Sequence, residues 1–175
     1  MRKLYFLPVL AVALMAASCD DDSPTNPSEL TPTFQMNLLA SNEAPTPIVA
    51  PDPEATCTGN VTIRLNITRD AAQTITAANV DFTANITGCP STTNITAAHI
   101  HEGPAGQATG VVVNTGISSG AVPLTNGAGS FTRNTSVQDL SIIQRMLDNP
   151  SGFYFNIHSA AHGGGVIRAQ LVRTQ

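Results

Sequence analysis

Val61-Thr62-Ile63-Arg64-Leu65-Asn66-Ile67 sets an apolar side chain at every second position, and Val80-Asp81-Phe82-Thr83-Ala84-Asn85-Ile86 repeats the alternation after an Arg69-Asp70 turn. A two-residue period is that of a strand with one buried face and one solvated face. The same rhythm appears at Phe34, Met36 and Leu38 and across residues 94–101. It recurs at Val111-Val112-Val113 after a Gly/Pro-rich loop, and around Phe131 in residues 129–133. Near the end, Phe153, Phe155 and Ile157 alternate with Tyr154, Asn156 and His158. Ile167, Ala169 and Leu171 then alternate with Arg168 and Gln170, after a Gly163-Gly164-Gly165 turn signal. One segment has a helical period: Val137, Leu140, Ile143 and Leu147 within residues 136–149, with Ser136 and Asp139 resembling a capping box and Asn149-Pro150 a stop. The pattern predicts an all-β chain, an antiparallel β-sandwich or barrel with one helical crossover.

Composition narrows the function classes. Of 175 residues, 42% are hydrophobic and only 11% charged, against roughly 25% charged in an ordinary soluble domain. Eight basic residues against twelve acids leave no surplus to neutralise phosphates, which argues against nucleic acid as a partner. The high apolar and low charged content also argues against disorder for most of the chain.

The N-terminus reads as an address. Arg2 and Lys3 precede an apolar run from Leu4 to Ala17, too short at about 21 Å of helix to cross a hydrocarbon core of roughly 30 Å. Residues 1–18 are expected to be a lipoprotein signal peptide, because Leu14-Met15-Ala16-Ala17-Ser18-Cys19 resembles a bacterial lipobox with Cys19 as the acylated residue. Asp20-Asp21-Asp22 and the Ser/Pro/Thr/Asn stretch make residues 19–32 an acidic, solvated tether. Six arginines, twelve acids and no lysine remain after residue 18, so membrane attachment would come from acyl chains. The expected location is the bacterial cell envelope, at the outer membrane or cell surface. In that oxidising setting, Cys57 and Cys89 are expected to form one structural disulfide.

All four histidines fall in two clusters, His99-Ile100-His101 and His158 with His162. Residues i and i+2 of a strand share a face, so His99 and His101 can reach one ion or small anion, and strand parity can bring Arg168 beside His158. His99, His101, His158 and Arg168 are therefore the candidate binding residues. His99, His101, His158 and His162 are the candidate metal ligands, suited to Cu or Zn. The bland alternative is that the histidines bond backbone groups or Glu102 at a strand-to-loop corner. Spacing alone implies no cofactor firmly. Glu43 and Glu54 lie in a Pro-rich loop without a paired-carboxylate pattern, and residues 103–110 lack the Gly-Lys-Ser/Thr of a phosphate loop. No Gly-x-Ser-x-Gly elbow occurs, so no catalytic residues are assigned.

Five stretches in this order resemble the CHRD domain, named from chordin. They are Leu38-Leu39-Ala40-Ser41-Asn42-Glu43-Ala44-Pro45, residues 97–106 with His99-Ile100-His101-Glu102-Gly103-Pro104, Gly110-Val111-Val112-Val113, Phe153-Tyr154-Phe155-Asn156-Ile157-His158, and Gly165-Val166-Ile167-Arg168-Ala169-Gln170-Leu171. The resemblance covers residues 33–173, with Val166 where the family commonly has Glu. It implies a β-sandwich-like fold and a non-enzymatic binding or structural module, whose partner here would be an unidentified extracytoplasmic protein or small ligand. A second similarity is to copper–zinc superoxide dismutase, where a His-x-His strand, a later strand histidine and a near-terminal arginine follow the order of His99, His101, His158 and Arg168. It implies, as the alternative, a mononuclear Cu/Zn-binding protein. The bridging histidine and zinc-site ligands of that family have no counterpart between His101 and His158.

Overall fold

The period-two segments become strands at the expected places. The computed structural model describes residues 31–175; the expected signal peptide, Cys19 and the tether as far as residue 30 lie outside them. The strands are β1 (Thr33–Leu39), β2 (Thr58–Arg69), β3 (Ile75–Thr87), β4 (Ile95–Glu102), β5 (Val111–Asn114), β6 (Gly129–Ser136), β7 (Phe153–Ser159) and β8 (Ile167–Gln170). They form one antiparallel sheet in the order β5-β4-β7-β8-β1-β2-β3-β6. Its edges approach each other where the Thr135 hydroxyl of β6 donates to the Asn114 carbonyl of β5 at 3.1 Å. The sheet is thus rolled into a nearly closed barrel.

Register follows from the apolar alternation. Phe34 pairs with Ile63, and Ile63 with Phe82, so one row of inward side chains crosses three strands. A one-residue slip would turn every one of them to solvent. The inward faces meet in a single core, with Phe82 of β3 stacked on Phe155 of β7 at 5.8 Å between ring centroids. Helix α1 (Leu140–Asp148) adds Ile142, Ile143 and Met146 to that core. Its start corrects the capping-box expectation: Ser136 ends β6, and Asp139 is the N-cap, accepting from the Ser141 N–H at 3.1 Å. The Asp139 carboxylate satisfies that orphan donor itself and also accepts from the Ser141 hydroxyl at 2.6 Å, so Ser136 has no part in the cap. Cys57 and Cys89 are disulfide-bonded, joining the start of β2 to the end of β3.

Two irregularities place the functional side chains. The first is a register shift in β4 between Ile95 and Ala97, opposite Ser159 and His158. The extra residue lets Ile95, Ala98 and Ile100 all face the core, which strict alternation forbids, and it turns the face shared by His99 and His101 outward. The second is coverage of that outer face. Residues 103–110 fold back over β4, β7 and β8, and the segment between β1 and β2 lies against their other end. Every residue of β7 is consequently buried.

Candidate metal centre

Cross-strand pairing arranges the outer face in rows. His99 of β4, Asn156 of β7 and Arg168 of β8 form one row; His101, Tyr154 and Gln170 form the next; His158 stands opposite Ala97. His99, His101 and His158 offer ring nitrogens that all lie within 4.8 Å of one another. Four-coordinate donors about 2.0–2.1 Å from one ion sit roughly 3.3 Å apart, so the three rings need only small rotations to share one.

Their hydrogen bonds define which nitrogen is available. The His101 Nδ1–H donates to the Thr109 carbonyl at 2.9 Å, and the His158 Nδ1–H to the Gly163 carbonyl at 3.0 Å. A carbonyl only accepts, so in each neutral ring the lone pair resides on Nε2. The His101 Nε2 is buried without a hydrogen-bond partner. The His158 Nε2 accepts from the His99 Nδ1–H at 3.0 Å. Carbonyls that fix the far nitrogen of a ligating imidazole are the usual outer support of a metal site.

Electrostatics keeps the rings neutral. Burial pushes His99 down to about 4, with the neighbouring His158 and His101 adding to the shift. Burial also lowers His101 and His158, although carbonyl hydrogen bonds act against it in both. Neutral imidazole is the ligating form.

Arg168, expected on the outer face beside His158, pairs instead with Asn156 and is almost wholly buried, and it organises the cover. Its guanidinium lies 3.3 Å from the Tyr154 ring centroid, and the opposite neighbour of Tyr154 is His101, stacked at 4.7 Å with ring planes 1° apart. It donates to the carbonyls of Gln107 at 2.7 Å and Pro104 at 3.1 Å, and to Gln170 Oε1 at 3.1 Å. The Thr109 N–H completes the clasp by donating to the Tyr154 hydroxyl at 3.1 Å.

Glu43 is the member of this region that sequence reasoning passes over. It is 4% exposed, and burial pushes its carboxyl up to about 7 despite the opposing charge of Arg168. Gly165 makes room for it: its φ is +134°, and a Cβ there would fall 2.5 Å from Asn156 Nδ2 and 2.6 Å from both Glu43 carboxylate oxygens. The one signal for Glu43 is its place in the Leu38–Pro45 stretch of the family resemblance.

His162 is not brought to the cluster. Its Nε2 meets Asp52 Oδ2 at 3.1 Å and Glu54 Oε2 at 3.7 Å, beside the turn that leads into β2. Glu102 likewise bonds none of the histidines; it forms a two-pronged ion pair with Arg145 of α1, at 2.9 Å on each oxygen.

An antiparallel barrel with His-x-His on one strand, a third histidine on the next and a buried arginine beyond defines a small β-domain with a covered polar face. The chain belongs to the CHRD domain family, whose model matches residues 34–171. Comparison with curated proteins and with solved structures finds no match.

Proposed function

We propose that this protein is an exported, lipid-anchored CHRD module of the bacterial cell envelope that binds one copper or zinc ion through His99, His101 and His158. The observation that carries the metal reading is the commitment of two Nδ1–H groups to the Thr109 and Gly163 carbonyls. It leaves the lone pair of each ring on Nε2, that of His158 meeting His99 Nδ1 at 3.0 Å and that of His101 buried without a partner, all within one 4.8 Å cluster. In the ion-free ring set His99 donates to His158; on binding, His99 shifts its proton to Nε2 and offers Nδ1. The family supports a binding module without catalysis.

Elemental analysis of the full chain, purified in detergent without a His-tag and loaded separately with Cu and Zn, should find one equivalent of ion. His101→Ala should lose it while keeping the wild-type circular dichroism. A wild-type protein that stays metal-free after both loadings would return the domain to a plain structural or protein-binding role. For the anchor, the lipobox-like Ala16-Ala17-Ser18-Cys19 carries the reading, and Cys19→Ala should move the protein to the soluble fraction. Unchanged membrane retention would refute the lipid anchor.

A further inference from the structure

We infer that the ion this site selects is cuprous copper, in preference to a divalent ion; the inference rests on the three-histidine reading above. The donor group contains three imidazoles and no thiolate or carboxylate, so the ligands bring no negative charge to the ion. A permanent cation stands one aromatic ring away, because the Arg168 guanidinium covers one side of Tyr154 and His101 the other. Its hydrogen bonds all go to neutral acceptors, the carbonyls of Gln107 and Pro104 and the Gln170 amide oxygen.

Acids that would offset a divalent ion are engaged elsewhere. Glu102 is paired with Arg145, and Asp52 and Glu54 meet His162. Glu43 faces Arg168 but is only partly ionised near neutrality. Asn156, in the row between His99 and Arg168, is uncharged; its Oδ1 is buried without a partner. At an effective dielectric of about 20, repulsion from a unit charge some 8–10 Å away disfavours each added unit of ionic charge by on the order of tenfold. Burying the ion itself adds a penalty that rises with the square of its charge. Both terms favour a monovalent over a divalent ion in the same three-nitrogen set. Three donors also satisfy cuprous copper, whereas zinc takes at least a fourth.

The test is a set of competition titrations on the full chain in detergent. Cu⁺ is measured anaerobically against a chromophoric cuprous chelator, and Cu²⁺ and Zn²⁺ are measured against chelators of known affinity. The expected Kd for Cu⁺ is at least tenfold below those for Cu²⁺ and Zn²⁺. Arg168→Gln should narrow that ratio by about tenfold by strengthening divalent binding more than monovalent. Because Arg168 also holds the covering loop, Glu43→Gln serves as the second variant; at pH 8 it should widen the ratio. One equivalent of Zn²⁺ or Cu²⁺ bound at the histidines as tightly as Cu⁺ would overturn the selectivity and leave the metal site standing. No binding of any of the three ions would overturn both.

Discussion

The two halves of the barrel share one inner face and differ in their outer one. Across β2 and β3 the outward side chains are Thr, Asn, Arg and Asp in water, so burial alternates residue by residue. Across β7 both faces are buried. The polar groups of the open half bond one another at the surface, as where Asn66 and Asn134 both donate to Asp81, or Asn85 to Asn60. Those of the covered half have lost water and must be satisfied individually. The loop of residues 103–110 does this with the carbonyls of Pro104, Gln107 and Thr109. A polar group buried without a partner costs about 1–3 kcal/mol. His101 Nε2, Asn156 Oδ1 and Glu43 Oε1 are left there without partners, and of the three only the imidazole nitrogen is a ready metal ligand.

The contrast predicts unequal responses to matched substitutions on the outer face. Tyr154→Ala should cost about 3–5 kcal/mol by denaturant titration, since it empties a buried site between Arg168 and His101. A loss below 1 kcal/mol would mean that the cover is not packed. The open half has a different staple. Replacing Cys57 and Cys89 together by Ala should cost about 2–4 kcal/mol, through the freed span of 32 residues, and leave metal stoichiometry unchanged.

Glu43 gives the covered half a pH dependence near neutrality. Its folded value, about 7, lies above the ordinary 4.5, so the native state favours the neutral acid. Its contribution to stability is fully present below pH 4.5 and is lost as pH rises toward and through 7. Glu43→Gln should therefore gain on the wild type by about 1–3 kcal/mol between pH 4.5 and 8, read as diverging unfolding midpoints. His99 works in the opposite sense. With its value lowered from 6.5 to about 4, its contribution is present above pH 6.5 and lost as pH falls through 4. Parallel pH profiles for wild type and Glu43→Gln would remove Glu43 from the account. The smallest effect belongs to the open half: Thr83→Ala, exposed on β3, should change stability by less than about 0.5 kcal/mol.

The strands were readable because a rolled sheet with one core enforces period two, which β7 follows throughout and β3 from Ala78 onward, past a register shift at its start. Helix α1 was readable from its apolar stripe, but its start was not, since Ser136 can as well end a strand as cap a helix. Parity on β4 was hidden by the register shift near Ala97, a backbone event with no residue signature. Parity linked Arg168 with His158 and left the face of His99 and His101 open; the structure brings His99, His101 and His158 together and sets Arg168 in the row of His99 and Asn156. His162 lies beyond the end of β7, where parity stops applying, and its partners come from a loop more than 100 residues earlier. Glu43 was unreadable for the same kind of reason: it is buried by Gly165 and by a chain crossing that local pattern does not encode.

The central claim is that the covered half is a preassembled three-histidine metal site. An anomalous-difference map of crystals grown from copper-loaded protein tests it most directly. The account predicts one peak among His99 Nδ1, His101 Nε2 and His158 Nε2. A peak at His162 with Asp52 and Glu54 instead, or no peak from fully loaded crystals, would contradict it.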